Sequence, residues 1–254
     1  MAIPSGPQAH TAALTQALRA SLAPAATLAM QARAGVLVAL FDLPQWHRFQ
    51  GAAAGVLDAA ESARATRQRR PEIRDARVLA YALHRLLLAE VLGCGPAAVP
   101  LTRDDKGCPR LRGDRVFTSL SHADDRVAIA VSGLGPVGID VESTDHAAGM
   151  PELAERVAHP DELRALAGLD ADAFGHALLE MWVRKEALLK AAGIGLECEM
   201  DGFVAPWGRA VPLPGGPFQG RLAQLLPLRG PRWAGAVALP PGAALTVAGP
   251  SAPP

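Results

Sequence analysis

A long helix bounded by a proline and a glycine is the sequence feature that most restricts the fold. Pro71 stands at its first turn, a position that needs no backbone N–H, and Gly93 follows its last residue. Half of the 254 residues are hydrophobic, so a sizeable core can form. The predicted helix covers residues 72–92 and carries an apolar side made of Leu79, Leu83, Leu86 and Leu87.

The rest of the chain reads as short strands interleaved with helices and loops. The Ala-rich segment 1–34, with one helical stretch near residues 11–22, is predicted to be an extension that precedes the fold. No repeat of solenoid or propeller period is present, and the residues from Gly249 onward are predicted to be disordered. Strands are predicted at 36–41, 116–120, 126–131, 137–141 and 232–239, and further helices at 46–69, 151–169 and 174–192.

Charge and cysteine content argue against several classes of protein. The chain has 25 acidic and 25 basic residues, so its net charge gives no reason to expect nucleic acid or a membrane surface as the main partner. Three widely spaced cysteines, Cys94, Cys108 and Cys198, argue against a disulfide framework or a zinc site. No apolar run is long enough to span a bilayer, and the first eighteen residues lack Lys and Arg. We therefore expect a cytoplasmic protein without a secretory signal.

Two motifs that suggest function are better explained by local structure. Gly133–Gly138 spells G-x-G-x-x-G, but the dinucleotide-binding motif needs its third glycine in a helix, whereas Gly138 enters a strand-like run. A hairpin turn fits this stretch better. Ser121, His122 and Asp124 have the residue types of a hydrolase triad. Neighbouring side chains on a strand point to opposite faces, so Ser121 and His122 cannot easily share a proton.

Two carboxylates, Asp140 and Glu142, lie two residues apart in a predicted strand. Residues at that spacing share a face, so both carboxylates point to one place, with Ile139 and Val141 turned into the core. Two like charges so placed repel unless a cation lies between them, and a hard cation such as Mg²⁺ suits oxygen ligands. On spacing alone, an exposed strand face that leads into a loop explains the pattern at least as well.

A second cluster lies on the helix predicted at 174–192. Helical spacing puts Trp182, Glu186 and Lys190 on one stripe, each four residues from the next. A plain surface helix would also use a Glu–Lys pair at this spacing, and a tryptophan is more often core than site. The lysines add weight, because the chain has 22 Arg but only three Lys, and Lys185 and Lys190 both fall in this helix. Lysine is a compact point charge that can reach phosphate oxygens, whereas arginine is a planar fork.

Four segments, taken in order, resemble the Sfp-type 4′-phosphopantetheinyl transferase family. They are Lys106–Pro109, Phe117–His122, Gly138–Glu142 and Trp182–Lys190, and the resemblance covers about residues 36–205. The Asp-x-Glu and Trp-x-x-Lys-Glu-x-x-x-Lys patterns are weak singly and specific together. The resemblance implies an α+β fold of two similar α/β subdomains that form a pseudo-twofold, with the active site in the cleft between them. A division near Gly133–Pro136 gives an extension at 1–34 and subdomains at 35–135 and 136–254.

The resemblance also implies roles for matching residues. The implied metal ligands are Asp140, Glu142 and Glu186, and the implied catalytic residues are Glu186, Lys190 and His122. The family usually has Lys between the glycine and the proline of the nucleotide loop, where this chain has Cys108, and Lys106 or Arg110 could supply that phosphate contact instead. The implied coenzyme A contacts are Arg74, Arg77, Lys106, Gly107, Cys108, Pro109, Ser121, His122, Asp140, Lys185 and Lys190, with Arg67 or Arg70 as alternatives to the first two.

The implied reaction moves 4′-phosphopantetheine from coenzyme A to a serine of an apo acyl or peptidyl carrier protein and releases 3′,5′-ADP. Mg²⁺, or Mn²⁺ on the same ligands, would neutralise the pyrophosphate, while Lys190 and His122 would add positive charge. Glu186 is the first candidate to accept the serine proton, ahead of His122. A monomer is expected. Two alternatives stay open: another metal-dependent enzyme that acts on a nucleotide or acyl-coenzyme A, and a non-catalytic relative that binds coenzyme A or carrier proteins.

Overall fold

The computed structural model describes residues 7–104, 107–113, 115–195 and 198–249 of the chain. Its helices and strands form a mixed structure with two four-stranded sheets and a two-stranded ribbon among the described residues. The helices are α1 (Pro7–Ser21), α2 (Ala25–Ala34), α3 (Gln50–Ala54), α4 (Ala59–Thr66), α5 (Pro71–Leu92), α6 (Ala154–Val157), α7 (Pro160–Ala165) and α8 (Ala171–Ala192). The strands are β1 (Gly35–Asp42), β2 (Leu101–Arg103), β3 (Pro109–Leu111), β4 (Phe117–Ala123), β5 (Arg126–Ser132), β6 (Gly138–Ser143), β7 (Ala210–Pro212), β8 (Leu222–Gly230), β9 (Trp233–Leu239) and β10 (Ala244–Ala248).

The two large sheets use different parts of the chain. The first has the order β10-β1-β5-β4 and is antiparallel except for the parallel pair of β1 and β10. The second is antiparallel throughout, with the order β6-β9-β8-β7. The ribbon of β2 and β3 packs beside β4. The five strands predicted from the sequence are confirmed as β1, β4, β5, β6 and β9.

The two longest helices share their length and their stop signal. Helix α5 begins at Pro71, and α8 begins after Asp170, whose carboxylate accepts the N–H of Ala173. Each helix spans 22 residues and ends at a glycine, Gly93 or Gly193, with φ of 67° or 72°. Glycine adopts that left-handed backbone without steric cost, so both helices end there. The predicted boundaries of α5 are confirmed.

Three apolar cores hold the described part of the chain together. Along β1, Leu37 and Phe41 contact the helices of the first core, whereas Val36 and Val38 face the second sheet. Ile139 of β6 lies in that same inter-sheet core, and a separate core lies between α8 and the second sheet. Burial of each large aliphatic side chain stabilises the fold by roughly 1.5–3 kcal/mol. Apolar packing therefore joins the two sheets in addition to the chain connections.

Residues 7–34 belong to the fold, contrary to the prediction of a separate extension. Leu14 and Leu18 of α1 and Leu28 of α2 are buried in the first core, where α1 contacts α3 and α2 contacts α5. The Ala-rich composition concealed this leucine face. The predicted division at residue 136 is also crossed, because β10, from the second half of the chain, pairs with β1.

Two predicted helices are divided in the structure. In 46–69 the chain forms a 3₁₀ segment, α3 and α4, because Asp58 begins α4 in a reciprocal capping box with Glu61. In 151–169 a new helix begins at Pro160, whose ring cannot continue the helix that ends at Val157. The disorder predicted beyond Gly249 lies outside the described residues. None of the described helices is long and apolar enough to cross a membrane.

Gly133–Pro136 connects the two sheets and is not the hairpin turn that the sequence favoured. Strand β5 pairs with β1 and β4, whereas β6 pairs with β9, so the chain changes sheet at this point. Gly138 begins a strand, which excludes the dinucleotide motif. A Cβ at Gly138 would overlap the backbone of α8 at Ala187, so this glycine lets β6 and α8 approach closely. That approach brings Asp140 next to α8.

Candidate active site

A seam between β4 and β6 forms the floor of the candidate site. The two strands belong to different sheets, and serine side chains connect them. The hydroxyl of Ser119 accepts the N–H of Ile139 at 3.1 Å, and the hydroxyl of Ser121 accepts the N–H of Val141 at 3.3 Å. Both serines are buried. Because α8 packs against β6, this seam gathers side chains from β4, β6 and α8.

Ser121 links the two charged groups of the seam. Its hydroxyl donates to Oδ1 of Asp140 at 2.7 Å and accepts from Nζ of Lys190 at 3.0 Å. Lys190 also lies 2.6 Å from the same carboxylate oxygen. Burial alone would lower the pKa of Lys190, but the carboxylates of Asp140 and Glu186 outweigh it and raise that pKa. Ser121 therefore serves Asp140 and Lys190 and not His122, which agrees with the rejection of a hydrolase triad.

Two carboxylate oxygens of the site lack a hydrogen-bond partner among the described residues. They are Oδ2 of Asp140 and Oε1 of Glu186, and both side chains are buried. Burial and the charge of Asp140 raise the pKa of Glu186 to about 7, against the opposing effect of Lys190. Buried carboxylate oxygens without donors are unfavourable unless a cation or a proton compensates them. The pair fits a hard divalent cation, which is usually held by one or two carboxylates plus phosphate oxygens.

The third predicted metal ligand, Glu142, contacts other groups. Its Oε1 lies 2.8 Å from Nδ1 of His146 and accepts the N–H of Ser143 at 3.1 Å. Its charge nevertheless contributes to raising the pKa of Glu186. Within the described ranges, no three His, Cys, Asp or Glu side chains converge on a common metal position. The structure thus brings Asp140 and Glu186 together, whereas Glu142 contacts His146.

Cations from three elements surround His122. Burial and the charges of Arg77, Lys190 and Arg103 lower the pKa of His122 to about 4. The imidazole is therefore neutral at neutral pH, and it does not supply the positive charge expected from the sequence. Cations from α5, α8 and β2 thus act on one half-buried ring, an arrangement that favours a bound anion.

The predicted nucleotide loop borders a cavity next to α8. The cavity has a volume of about 390 Å³, and Gly107, Cys108 and Pro109 line it together with Glu186 and Lys190. The loop is held in place by Asp104, whose carboxylate accepts the N–H of Cys108 at 2.9 Å. Loop and α8 therefore face the same space, as the family resemblance implies.

Arg110 and Lys106 were the two residues expected to replace the loop lysine, and the structure describes the contacts of Arg110. Arg110 contacts Asp104 at 3.1 Å, donates to the carbonyl of Gly193 at 3.3 Å and lies over the ring of Phe218. Its guanidinium is thereby engaged with the protein itself. Lys106 lies outside the described residues.

Arg103 is a site residue that the sequence reasoning missed. It lines the same cavity, and its Nε and Nη2 are buried without a hydrogen-bond partner in the part of the chain that is described. In the β2–β3 ribbon Arg103 pairs with Pro109, so it lies directly opposite the last residue of the loop motif. A β-hairpin predicted around the loop would have placed Arg103 opposite Pro109 and identified it as a site residue.

Lys185 is structural, contrary to its prediction as a coenzyme A contact. The side chain is fully buried, and Nζ donates to the carbonyls of Met200 and Phe203 at 2.7 Å each. Nζ also pairs with Glu162 at 2.6 Å. Three acceptors fill the donor capacity of an ammonium group, so none is left for a ligand.

Arg74 and Arg77 of α5, which were both predicted to contact coenzyme A, have different surroundings. Arg74 has a substantially exposed side chain that lies 3.5 Å from the carboxylate of its neighbour Asp75. Arg77, about one turn further along α5, acts on His122 and lines a cavity with it. Arg77 is therefore part of the positive cluster, whereas among the described residues Arg74 is paired with Asp75 on its own helix.

The fold and the site define an α+β protein with a cation-lined cleft, in which buried carboxylates lie beside groups that attract phosphate. Residues 136–208 match the 4′-phosphopantetheinyl transferase superfamily. The chain is 32% identical over 148 residues to the 4′-phosphopantetheinyl transferase HetI of Nostoc sp., which covers 56% of this chain and 62% of that protein. It is 29% identical over 123 residues to a 4′-phosphopantetheinyl transferase of Bacillus subtilis, covering 48% and 53% of the two chains. The match to the transferase gsp of Aneurinibacillus migulanus is 29% over 126 residues, covering 50% and 52%.

These matches confirm the resemblance of the chain to 4′-phosphopantetheinyl transferases, and the match to the superfamily covers residues 136–208. The matched part spans between about half and three fifths of the length of these relatives.

Proposed function

We propose that the protein transfers the 4′-phosphopantetheine group of coenzyme A to a serine of an apo carrier protein, in a magnesium-dependent reaction that releases 3′,5′-ADP. One observation carries the proposal: Arg103 and Lys190, which both act on His122, line the same cavity as Glu186, whose Oε1 has no partner among the described residues. Coenzyme A has the complementary groups, since its phosphates match the cations and its pyrophosphate binds divalent metal. The names of the relatives support the same reaction.

Asp140 and Glu186 are the residues that would hold Mg²⁺, or Mn²⁺, through their unpartnered oxygens. When bound, the ion supplies charge neutralisation at the pyrophosphate. Two protein carboxylates leave coordination positions for phosphate oxygens, which is the usual arrangement for this cation. We assign Glu142 a lesser part, because it would have to exchange its contact with His146 for the ion.

Lys190 and Ser121 act on the phosphate side of the site. Lys190 remains charged, so it stabilises the negative charge that develops on the departing 3′,5′-ADP. Ser121 holds Lys190 and Asp140 in fixed positions through its two hydrogen bonds. His122 is neutral before coenzyme A binds and offers a ring N–H to a phosphate oxygen, and Arg77 adds charge beside it.

The transfer forms a bond between the carrier serine oxygen and the β-phosphorus, and it breaks the bond from that phosphorus to the oxygen of 3′,5′-ADP. The serine loses a proton as this bond forms. We assign Glu186 as the acceptor through its second oxygen, Oε2, because Oε1 is assigned to the ion and the side chain lines the cavity.

We further propose that the two sheet-and-helix units are the pseudo-twofold subdomains implied by the family. The equal lengths and glycine stops of α5 and α8 support this, with β10 assigned to the first unit. Since one chain contributes all the proposed metal and phosphate groups, we assign the activity to a monomer, and we place it in the cytoplasm. A particle of twice the chain mass in analytical ultracentrifugation would contradict the monomer.

Mass spectrometry of an apo carrier domain incubated with the protein, coenzyme A and Mg²⁺ tests the proposed function. Acyl and peptidyl carrier domains are tested separately, and we expect a gain of one phosphopantetheine per carrier. Asp140→Asn and Glu186→Gln should abolish the gain. Arg164→Gln, which alters an exposed pair with Asp161 on α7, should preserve it.

Two results would contradict the transfer reaction. Consumption of coenzyme A without any carrier would indicate another metal-dependent enzyme. Binding of coenzyme A without turnover, for both types of carrier, would indicate a non-catalytic relative.

A further inference from the structure

The cavity beside the nucleotide loop is lined by Arg103, a partly buried arginine with one edge that no described residue fills. Arg103 stands at the end of β2, and its guanidinium lies 4.3 Å from the ring centre of Tyr81 on α5. Its Nη1 donates to the carbonyl of Gly107 at 3.1 Å. The other two nitrogens, Nε and Nη2, are buried and have no hydrogen-bond partner among the described residues.

This unfilled edge has the geometry that recognises an anion. The Nε and Nη2 groups of an arginine present two parallel N–H donors, which match two oxygens of a phosphate or carboxylate. The stack on Tyr81 fixes the plane of the guanidinium, and the bond to Gly107 fixes its rotation within that plane. Arg103 also lines the cavity that contains Lys190. The edge is therefore held ready beside the proposed pyrophosphate site.

Within the described ranges, no carboxylate is hydrogen-bonded to that edge. Glu61 is the carboxylate that acts most strongly on Arg103, but its Oε2 is bound to Arg85 at 2.8 Å. Arg64 adds a further positive charge nearby. A buried cation without a bound anion is strongly unfavourable, so the arrangement is understandable if an anion arrives from outside.

We propose that Arg103 binds a phosphate group of the nucleotide part of coenzyme A and replaces the lysine that the family pattern has at Cys108. The inference rests on the proposed function. Cys108 has no cationic group, and the guanidinium of Arg110 is engaged with Asp104 and Gly193. Arg103 reaches the same cavity from the opposite strand of the ribbon.

Isothermal titration of the full chain with three probes tests this role. The probes are coenzyme A, 3′-dephospho-coenzyme A and 3′,5′-ADP. Arg103→Met should weaken coenzyme A binding by about tenfold to hundredfold, the loss expected for a hydrogen bond to a charged group. Arg103→Lys keeps the charge but not the fork, so it should recover part of the affinity.

The three probes identify the phosphate. A loss for coenzyme A and 3′,5′-ADP, but not for the dephospho form, assigns Arg103 to the 3′-phosphate. A loss for coenzyme A and its dephospho form, but not for 3′,5′-ADP, assigns it to the β-phosphate, which 3′,5′-ADP lacks. A loss for all three probes assigns it to the α-phosphate, which all three carry. Dissociation constants within twofold of wild type for all three probes would overturn the inference while leaving the proposed function intact. If the wild-type protein binds none of the probes, the inference about Arg103 and the proposed function are both wrong.

A melting experiment separates binding from folding. Without ligand, Arg103→Met should melt near the wild-type temperature, because it removes one bond to Gly107 together with an uncompensated buried charge. With coenzyme A, its rise in melting temperature should be smaller than that of wild type. Arg164→Met is the control for loss of a surface arginine and should match wild type in both measurements. A lower melting temperature of Arg103→Met with unchanged affinities would make Arg103 a purely structural residue and overturn the inference.

Discussion

Replacing Ser121 with alanine should destabilise the protein more than the same change at Ser119. Both serines are buried on β4, two residues apart, and each accepts one backbone N–H from β6. Ser121 also bonds to two charged groups, Asp140 and Lys190. The two substitutions therefore share the backbone contribution and differ in the charged one.

The expected magnitudes follow from these contacts. Ser119→Ala leaves one buried N–H without an acceptor, which costs about 1–3 kcal/mol. Ser121→Ala does the same and removes hydrogen bonds to charged groups, each worth about 1.5–3 kcal/mol. Asp140 and Lys190 stay in direct contact at 2.6 Å, so we count one of these bonds and not two. The total for Ser121→Ala is then roughly 2.5–6 kcal/mol.

Urea unfolding followed by tryptophan fluorescence measures both free energies in one protocol, and equal m-values show that both variants unfold the same surface. The difference of about 1.5–3 kcal/mol corresponds to roughly 3–12 °C in melting temperature for a chain of this size. Equal losses for the two variants, or a larger loss for Ser119→Ala, would refute the idea that Ser121 stabilises the Asp140–Lys190 pair.

Three further changes test other parts of the structure. Lys185→Met should lower the unfolding free energy by about 3 kcal/mol or more, because Glu162 loses its cation, and an unchanged melting temperature would contradict the structural role. His122→Gln should flatten the loss of stability as the pH falls from 6.5 to about 4, since the unfolded histidine takes up a proton there and the folded one does not; identical pH profiles would contradict the lowered pKa. His146→Ala should reduce the Mg²⁺ needed for half-maximal carrier loading by at most about fivefold, by releasing Glu142, and an increased requirement would count against Glu142 as a ligand.

Local signals in the sequence predicted the elements better than their assembly. Pro71 and Gly93 bound α5 as predicted, because proline and glycine act within one turn of themselves. The partners of β6 were not predictable in this way, since a turn motif does not say whether the next strand joins the same sheet. The burial of Leu14 and Leu28 likewise depends on helices and strands that come later in the chain.

The candidate site shows the same limit. The alternation of residues along β6 correctly predicted that Ile139 points into the core. It also placed Asp140 on the other face of the strand, where it acts on Glu186 of α8. Spacing could not show that Glu142 contacts His146, because a side-chain rotation decides between the two partners. It also could not show which lysine of α8 faces the cleft until the neighbours of the helix were known.

The parallel pairing of β1 and β10 has a consequence for the order in which the protein can be completed during synthesis. Gly35 and Ala244 are partners in this pair although more than 200 residues separate them. As the chain emerges from the ribosome, β5 can cover one edge of β1 early, but the other edge stays open until the last strand appears. An open strand edge is a template for pairing with other chains, and contacts this distant in sequence form slowly. Nascent chains of this protein should therefore depend on protection from aggregation until residue 248 is free to pair.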